Sequence, residues 1–394
     1  MRALLIVPRL PGTGFTGDRV RAAQHVAALT VSGFRTTVVG GVPPGRRPSS
    51  AVGLAGHAGI DRVVPVATGW LAVAAALPWH AIRGEPLQSA LLAGRWDAAL
   101  RDAGTGFDLT VVLLARLWPY VERHIRPPVV LDFIDALGAG ARQASSDEPR
   151  LWRRAYWRWE APRLERLEWR AAERAVLRLV TAPADARALP PDTVTLPLGV
   201  TIGPEPPPGR GQVVAFSGRL GYRPNELGVR RLLREIWPRV LVEAPEAELW
   251  IGGADPPRWL RALAGGTGRT GGTRDRVRLF SPVADMSAFL RQARAVAAPV
   301  ALGSGTQLKL LEALEAGAAV VASPEVVSRA GEPSPPVRVA SSHDAFAADL
   351  VALLKDPSVA AREGTAGRTW VKAHADRARF TDLLAGHYRR LGES

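Results

Sequence analysis

Short apolar runs of strand length recur along the chain, separated by longer stretches with helical spacing. In the N-terminal half the runs cover 3–7, 36–40, 109–114, 129–133 and 178–182. In the C-terminal half they cover 212–218, 247–253, 276–280, 295–300, 319–323 and 336–340. Such β-branched runs, alternating with helices, predict βα units and parallel sheets that are buried on both faces.

A linker-like segment divides this pattern into two halves. Residues 199–212, GVTIGPEPPPGRGQ, contain four prolines and four glycines, a composition typical of a connection between domains. We predict an α/β protein with two doubly wound, Rossmann-like parallel-sheet domains that face each other across a ligand-binding cleft. The predicted parts are domains over 1–200 and 213–375, a linker over 201–212, and a C-terminal helix over 376–394 that could cross back to the N-terminal domain.

Composition excludes several classes of protein. Apolar residues make up 47% and charged residues 22% of the 394 positions, which is typical of a globular chain and excludes wholesale disorder. The longest apolar stretch, 69–79, is interrupted by Pro78, so we expect no membrane-spanning helix. The first apolar run is too short for a signal peptide. Because the chain also has no cysteine, we expect a cytoplasmic protein without disulfides or thiolate metal sites.

The net charge of +14 comes almost entirely from arginine, since the only lysines are Lys309, Lys355 and Lys372. An arginine surplus has three interpretations: genome composition, phosphate-rich ligands, or an anionic lipid surface. No nucleic-acid-binding motif accompanies the charge, so we expect no nucleic-acid partner.

Residues 151–179 form a basic stretch with eight arginines, four glutamates and four tryptophans, with leucines near helical spacing. A basic helix that carries tryptophan can lie on a membrane surface as a peripheral contact. It can equally cover the N-terminal sheet, with its arginine stems packed over apolar side chains. Both interpretations remain open from the sequence.

The segment GSGTQLKLLEALEAGAAVVAS, residues 303–323, has features of an anion site. We predict a helix over Thr306–Ala316, capped by Thr306 and ended by Gly317, between two buried strands. Its predicted apolar face consists of Leu310, Leu311 and Leu314.

The chemistry of this helix start fits a diphosphate. Gly303 and Gly305 allow the backbone amides to approach a ligand, and the helix dipole adds partial positive charge. Lys309, one turn into the helix, would add a full charge, and Glu312 could accept hydrogen bonds from ribose or sugar hydroxyls. Alternatively, Lys309 and Glu312 only pair with each other on a solvated helix face.

The same segment resembles the nucleotide-sugar segment of retaining GT-B glycosyltransferases of family 4. Further segments resemble the branch of that family associated with bacterial exopolysaccharide export. They are 16–29, 129–143 followed by 163–175, 213–240 with its GYRPNE sequence, and 282–300. The resemblance touches most of the chain in the expected order.

The resemblance implies a hexosyltransferase that uses a nucleotide diphosphate sugar of the UDP or GDP type. It implies retention of the anomeric configuration without a metal or other cofactor, and the chain has no Asp-x-Asp sequence. The acceptor, which would bind to 1–200, could be a glycan, a lipid-linked sugar or a small molecule.

The resemblance also implies site residues. Arg219, Lys309 and Glu312 are the expected catalytic residues, with Arg219 neutralising the leaving diphosphate. The expected donor-binding residues are Gly218, Arg223, Gly303, Ser304, Gly305, Thr306, Gln307, Leu308 and Glu312. The expected acceptor-side residues are Gly17, Asp18, Arg21 and Asp135. No metal ligand is expected.

One departure from the family pattern leaves alternatives open. Ser304 occupies the position of the first glutamate of the family pair. A sugar-nucleotide-binding protein of the same fold without transferase activity is therefore one alternative, and an epimerase or phosphorylase is another. The catalytic-side histidine of better-known members has no clear counterpart, and His25 and His80 are the nearest candidates.

Overall fold

The computed structural model of the protein divides into two units, Met1–Leu198 with Ala378–Ser394, and Gly199–Arg377. The residues that the structure describes are 1–10, 17–42, 59–264, 276–300, 308–328, 330 and 333–393.

The first unit is built on a seven-stranded sheet in the order β3-β2-β1-β4-β5-β6-β7, and every neighbouring pair is parallel. Its strands are β1 (Arg2–Val7), β2 (Arg35–Val42), β3 (Ile60–Ala67), β4 (Leu109–Leu113), β5 (Val129–Asp132), β6 (Leu177–Val180) and β7 (Val194–Thr195). The order reverses at β1, which pairs with β2 on one side and with β4 on the other, as in a doubly wound sheet.

Both faces of this sheet are buried, because successive side chains of a strand point to opposite faces. In β1, Leu5 and Val7 belong to one apolar cluster, whereas Leu4 and Ile6 belong to a second. The continuous apolar runs of the sequence therefore supply two cores, one on each face of the same sheet.

Helices cover the two faces of the first sheet. They are α1 (Gly17–Val31), α2 (Trp70–Ile82), α3 (Leu87–Ala90), α4 (Trp96–Ala103), α5 (Trp118–Val121), α6 (Leu137–Asp147), α7 (Leu151–Ala172), α8 (Pro183–Ala186) and α17 (Arg377–Gly392). A 3₁₀ turn, Ala115–Leu117, precedes α5. The C-terminal α17 belongs to this unit from Ala378 onward, and it buries Phe380, Leu384 and Tyr388 in the same cluster as Leu5.

Helix α7 contains most of the basic tryptophan-bearing stretch, and it packs against the first unit. Leu167 and Ala171 are buried in the apolar cluster that also contains Leu4. By contrast, Leu151 and Trp152 at the start of the helix are 76% and 67% exposed. The helix therefore covers the protein core with its C-terminal half.

The second unit contains a six-stranded sheet in the order β10-β9-β8-β11-β12-β13, again entirely parallel. Its strands are β8 (Val213–Ser217), β9 (Glu248–Gly252), β10 (Val277–Phe280), β11 (Ala295–Ala298), β12 (Ala319–Ala322) and β13 (Arg338–Val339). Its helices are α9 (Arg223–Arg231), α10 (Trp237–Glu243), α11 (Arg258–Ala264), α12 (Met286–Arg291), α13 (Leu308–Glu315), α14 (Pro324–Val327), α15 (His343–Lys355) and α16 (Pro357–His374). A π-helical turn, Leu232–Ile236, joins α9 to α10.

The predicted fold class of two doubly wound parallel sheets is confirmed, but the sequence pattern missed two strands. The missed β3 carries Asp61, Arg62 and Pro65, and only Val64 and Val66 of its eight residues are buried. Proline and charged side chains are tolerated in β3 because it is an edge strand. The other missed strand, β7, has only two residues and forms the opposite edge.

Candidate active site

Two glycines shape the carboxyl edge of the second sheet, where ligands of parallel sheets bind. Gly218 follows β8 with a φ of +149°, and Gly253 follows β9 with a φ of +155°. A Cβ atom on Gly253 would lie 1.8 Å from the carbonyl oxygen of Gly218. The two loops can therefore touch, backbone against backbone, only because position 253 has no side chain.

This contact positions Arg219 beside Asp255. The Nε of Arg219 donates to Oδ2 of Asp255 over 2.9 Å, and both side chains are more than half exposed. Such an exposed pair is weak, so the guanidinium can leave it to meet an anionic ligand. Arg219 thus lies at the carboxyl end of β8, where its guanidinium is accessible to solvent and is held near the loop by Asp255.

Asn225, on α9, connects Arg219 to Lys309. Its Nδ2 donates to the backbone oxygen of Arg219 over 3.0 Å. Its Oδ1 accepts from the Nζ of Lys309 over 3.0 Å. Asn225 is buried, and the sequence analysis gave it no role although it lies in the GYRPNE segment quoted for the resemblance.

Within the described residues, Lys309 does not pair with Glu312; its ammonium group donates to the neutral amide of Asn225. Burial lowers the pKa of Lys309 to about 8. A half-buried ammonium whose described partner is neutral is a favourable site for an added negative charge. The interpretation of a simple Lys309–Glu312 surface pair is therefore wrong.

Glu312, one turn further along α13, is also largely desolvated. Burial raises its pKa to about 7, the charge of Arg377 partly opposes this effect, and the charge of Glu315 adds to it. A carboxyl group poised near neutrality can accept hydrogen bonds from hydroxyl groups once it is ionised.

Helix α13, which carries Lys309 and Glu312, is fixed to the body of the second unit by Glu315. This buried carboxylate accepts from the backbone N–H of Gly203 over 2.8 Å and from the Oγ of Ser287 over 2.7 Å. It also pairs with Arg368 of α16 over 2.9 Å. As predicted, Leu310, Leu311 and Leu314 form the buried apolar face of the helix.

The other predicted donor-side residues divide into two groups. Leu308 is the first residue of α13 and is half-buried, and Arg223 is the exposed first residue of α9. The second group lies outside the described residues: Gly303, Ser304, Gly305, Thr306 and Gln307.

Three of the predicted acceptor-side residues lie at the carboxyl edge of the first sheet. Gly17 and Asp18 begin α1, and Asp18 accepts from the Nε of Arg9 over 3.1 Å. Asp135 follows β5 and is half-buried.

Arg21, in contrast, is fully buried beneath this edge. Its Nε donates to Oδ2 of Asp132 over 2.5 Å, and Nε2 of His25 lies 2.7 Å from the same oxygen. The Nδ1 of His25 is hydrogen-bonded to the hydroxyl of Tyr388 on α17. Arg21 therefore cannot touch an acceptor directly; it positions α1 and, through the shared carboxylate, α17.

The ionisable groups in this cluster shift one another's pKa values. Burial by itself raises the pKa of Asp132, but the charge of Arg21 and the hydrogen bond from His25 outweigh it and hold the pKa well below its usual range. Burial lowers the pKa of His25, with Asp132 opposing that effect. The cluster is thus best described as a buried ion pair with a neutral histidine, which agrees with a structural role for His25.

His80 is structural by the same criterion. Its Nε2 lies 2.7 Å from the hydroxyl of Tyr120, and burial lowers its pKa.

Arg116 is a residue that the sequence analysis missed. It follows β4, and its NH1 donates to the side-chain oxygen of Gln88 over 3.2 Å. Its Nε is buried without a hydrogen-bond partner among the described residues. Burial and the charge of Arg9 lower the pKa of Arg116, whereas Asp135 opposes this effect. No motif distinguishes Arg116 from the other arginines of the sequence.

Comparisons with known proteins identify the class of this chain. Residues 211–356 match the sequence profile of the family described as "Glycosyl transferases group 1". None of the curated proteins has a sequence that matches the chain.

Solved structures share the fold over almost the whole chain. Sucrose-phosphate synthase from Thermosynechococcus elongatus is 17% identical, with a TM-score of 0.70 and 99% of each chain covered. HepE of Anabaena, solved with UDP and glucose, is 15% identical, with a TM-score of 0.67 and coverage of 99% of this chain and 100% of HepE. The lipopolysaccharide glycosyltransferase WaaG is 16% identical, with a TM-score of 0.63 and coverage of 98% and 100%. The profile match and the shared GT-B fold indicate that the chain is a glycosyltransferase.

Proposed function

We propose that the protein transfers a hexosyl group from a nucleotide diphosphate sugar of the UDP or GDP type to an acceptor, with retention and without a metal ion. The second unit binds the donor, and the first unit binds the acceptor. We further propose that the protein belongs to family 4 and to its bacterial exopolysaccharide-associated branch. This assignment rests on the resemblance of the quoted segments.

The observation that carries this proposal is the arrangement of Lys309, Asn225 and Arg219 at the carboxyl edge of the sheet that matches the group 1 family. Two cationic side chains, one of them half-buried against a neutral amide, fit a diphosphate better than a neutral ligand. The crystal structures of HepE with UDP and with UDP-glucose support the choice of donor class.

The proposed chemistry uses electrostatic stabilisation of the leaving group. As the glycosidic bond to the diphosphate breaks, negative charge grows on the departing phosphate oxygen, and Lys309 and Arg219 stabilise that charge. The acceptor oxygen bonds to the anomeric carbon on the face from which the phosphate leaves, which gives retention, and the departing phosphate takes the acceptor's proton. Glu312 accepts hydrogen bonds from ribose hydroxyls and orients the donor.

The proposal needs no metal ligand from the protein. The sequence lacks Asp-x-Asp, and among the described residues no three His, Asp or Glu side chains cluster as metal ligands would. If the proposal is correct, transfer continues at full rate in the presence of EDTA.

For the acceptor, we propose a sugar or a lipid-linked sugar that approaches Gly17, Asp18 and Asp135. Arg116 adds a buried cationic donor near Asp135, which suits an acceptor carrying a phosphate. A cytoplasmic enzyme with a peripheral membrane contact through 151–179 would meet such an acceptor at the bilayer.

A thermal-shift screen against UDP, GDP, ADP and TDP and their sugars tests the donor assignment. We expect one nucleotide to raise the melting temperature of the wild type, and Lys309→Ala and Glu312→Ala to remove that shift. Lys355→Ala is a matched control, because Lys355 lies in the same unit but forms an exposed pair with Glu243. If both site variants bind as tightly as the wild type, the donor-site assignment is wrong.

A second candidate is a nucleotide-sugar-binding protein without transferase activity, which Ser304 favours because it replaces a family glutamate. Nucleotide binding without transfer to any acceptor pool would support it. Donor turnover without an acceptor, or dependence on inorganic phosphate, would instead indicate an epimerase or a phosphorylase.

A further inference from the structure

Helix α2 has an unusually apolar and exposed surface. No charged residue occurs between positions 63 and 82. Trp70, Leu71 and Ile82 are 76%, 89% and 86% exposed. Single exposed apolar side chains are common on protein surfaces, but a group of large ones on one helix usually marks an interaction site.

The exposed positions of α2 share one helical face. Positions 70, 71, 74, 75, 77, 78, 81 and 82 are exposed, whereas 72, 73, 76, 79 and 80 are half-buried or buried. This spacing of three to four residues is that of a helix with one side against the protein and the other free. The free side is a continuous apolar stripe.

The stripe is held in a fixed orientation. His80 is fully buried on the inner face of α2 and is hydrogen-bonded to the hydroxyl of Tyr120. That hydroxyl in turn donates to the backbone oxygen of Ser89 over 3.1 Å.

Basic side chains lie next to the stripe. The guanidinium of Arg83, directly after α2, stacks on Trp79 with 4.9 Å between its carbon and the ring centroid. The segment that follows is fixed to α7, because Glu85 pairs with Arg170 over 2.7 Å. Glu160 of α7 also accepts from the backbone N–H of Gln88 over 2.8 Å.

The outer side of α7 is basic and carries tryptophan. The helix contains six arginines and three glutamates, and two of these glutamates, Glu160 and Glu168, are buried. Arg158 and Arg166 are exposed, and Trp169 is 50% exposed. An apolar stripe beside a basic, tryptophan-bearing helix is the composition of a surface that binds anionic bilayers.

We propose that α2 lies in the plane of an anionic bilayer, with its outer face inserted among the acyl chains and the arginines of α7 against the headgroups. The 13 residues of α2 span about 20 Å at roughly 1.5 Å per residue, which is shorter than the hydrocarbon core. Among the described residues no helix combines the length and apolar character that crossing a membrane requires.

Charge favours a bilayer over a second copy of the chain. A second copy would bring the same basic α7 toward the first and add to a net charge of +14 per chain, whereas an anionic surface attracts the same side chains. The inference extends the proposed contact of 151–179 by assigning insertion to α2, and it does not depend on sugar transfer.

The test is co-sedimentation of the full-length protein with vesicles of phosphatidylcholine alone and with phosphatidylglycerol added. We expect the wild type to bind the anionic vesicles, and Leu71→Gln/Ile82→Gln to lower the partition coefficient at least tenfold. Val242→Gln/Leu383→Gln is the matched control, because it also removes two exposed apolar side chains but lies outside both α2 and 151–179, and it should bind as the wild type does. Unchanged melting temperatures show that the variants are folded.

Three outcomes would overturn the inference. The first is that the wild type binds no vesicle, and the second is that the α2 variant binds as well as the wild type while Arg158→Gln/Arg166→Gln alone abolishes binding. The third is a wild-type dimer in light scattering that the α2 variant dissociates, without vesicle binding. Nucleotide thermal shifts on the same samples report donor binding separately, so failure of the membrane inference and failure of the proposed transferase are distinguishable.

Discussion

The ammonium of Lys309 donates to the side-chain oxygen of Asn225 across 3.0 Å, and this contact joins helix α13 to helix α9. Because the partner is a neutral amide, it satisfies the geometry of the ammonium without neutralising its charge. The site therefore keeps a half-buried positive charge for an anionic ligand, and desolvation lowers the pKa of Lys309 to about 8.

Replacing this amide by a carboxylate changes the charge without changing the shape. In Asn225→Asp, an opposite charge at hydrogen-bond distance raises the pKa of Lys309 above about 8. The alkaline loss of nucleotide affinity should then move upward by roughly one pH unit, while affinity at pH 7 falls because the new carboxylate repels the diphosphate. Calorimetric titration from pH 6 to 10 measures both effects. Lys309→Met should have no alkaline loss, and a loss that persists there would assign it to another group.

The raised pKa of Glu312 predicts a second change in nucleotide affinity, an acid limb, on the low-pH side of the same titration. Burial raises its pKa to about 7, and only the ionised carboxylate accepts hydrogen bonds from both ribose hydroxyls. Nucleotide affinity should therefore fall as the pH decreases through 7, and Glu312→Gln should bind weakly at every pH without this limb. An acid limb of unchanged size in the variant would contradict the assignment.

The same raised pKa predicts that Glu312 destabilises the fold at alkaline pH. A carboxyl group whose pKa is higher in the folded protein contributes stability below its ordinary value of 4.5, and this contribution is lost as the pH rises through about 7. Glu312→Gln should thus be more stable than the wild type at pH 8, by about 3 kcal/mol, and the difference should shrink toward pH 5. Calorimetric melting at both pH values measures it; equal stabilities at pH 8 would show that the ionised carboxylate is well compensated.

Replacing Gly253 should displace the backbone that positions Arg219. In Gly253→Ala the new methyl group would meet the oxygen of Gly218 at 1.8 Å, so the loops after β8 and β9 must separate. We expect a destabilisation of about 3 kcal/mol or more and loss of nucleotide binding. Gly211→Ala is the control in the same unit, because its added Cβ meets only one methyl group, at 3.9 Å, and melting temperatures compare the two.

The sequence predicts the fold well because each central strand is an uninterrupted apolar run. β1, β4, β8 and β12 are buried along nearly their whole length, and parallel strands buried on both faces leave this signal. The edge strand β3 leaves no such signal, since its exposed positions accept Asp61 and Arg62. Edge positions are constrained less by burial than by pairing, and pairing is not visible in a single sequence.

The site was predictable where chemistry is local and unpredictable where it depends on distant residues. Lys309 and Glu312 lie three residues apart on one helix, so their spacing alone drew attention to them. Asn225 is 84 positions from Lys309, and its role appears only when α9 and α13 are brought together. Arg21 was expected on the acceptor side, but it is fully buried and pairs with Asp132, which lies 111 positions away.

We expect the C-terminal helix α17 to be held by the buried cluster of Arg21, His25, Asp132 and Tyr388. Asp132→Ala leaves the buried guanidinium of Arg21 without its carboxylate, which should cost roughly 3–5 kcal/mol. Tyr388→Phe removes only the hydroxyl that is bonded to His25 and should cost about 1 kcal/mol.

These two variants should differ in which part of the first unit they loosen. Because Tyr388 lies on α17 and Asp132 ends β5, we expect Tyr388→Phe to speed amide exchange chiefly in α17, and Asp132→Ala to speed it in α1 and α17 together. The pKa of His25 is lowered by burial, so its contribution to stability is present above its ordinary value of 6.5 and is lost as the pH falls below that value. Exchange of α17 in the wild type should therefore accelerate, after correction for the intrinsic rate, between pH 7 and pH 5. Equal protection of α17 in all three proteins would show that apolar packing around Phe380 and Leu384 alone holds the helix.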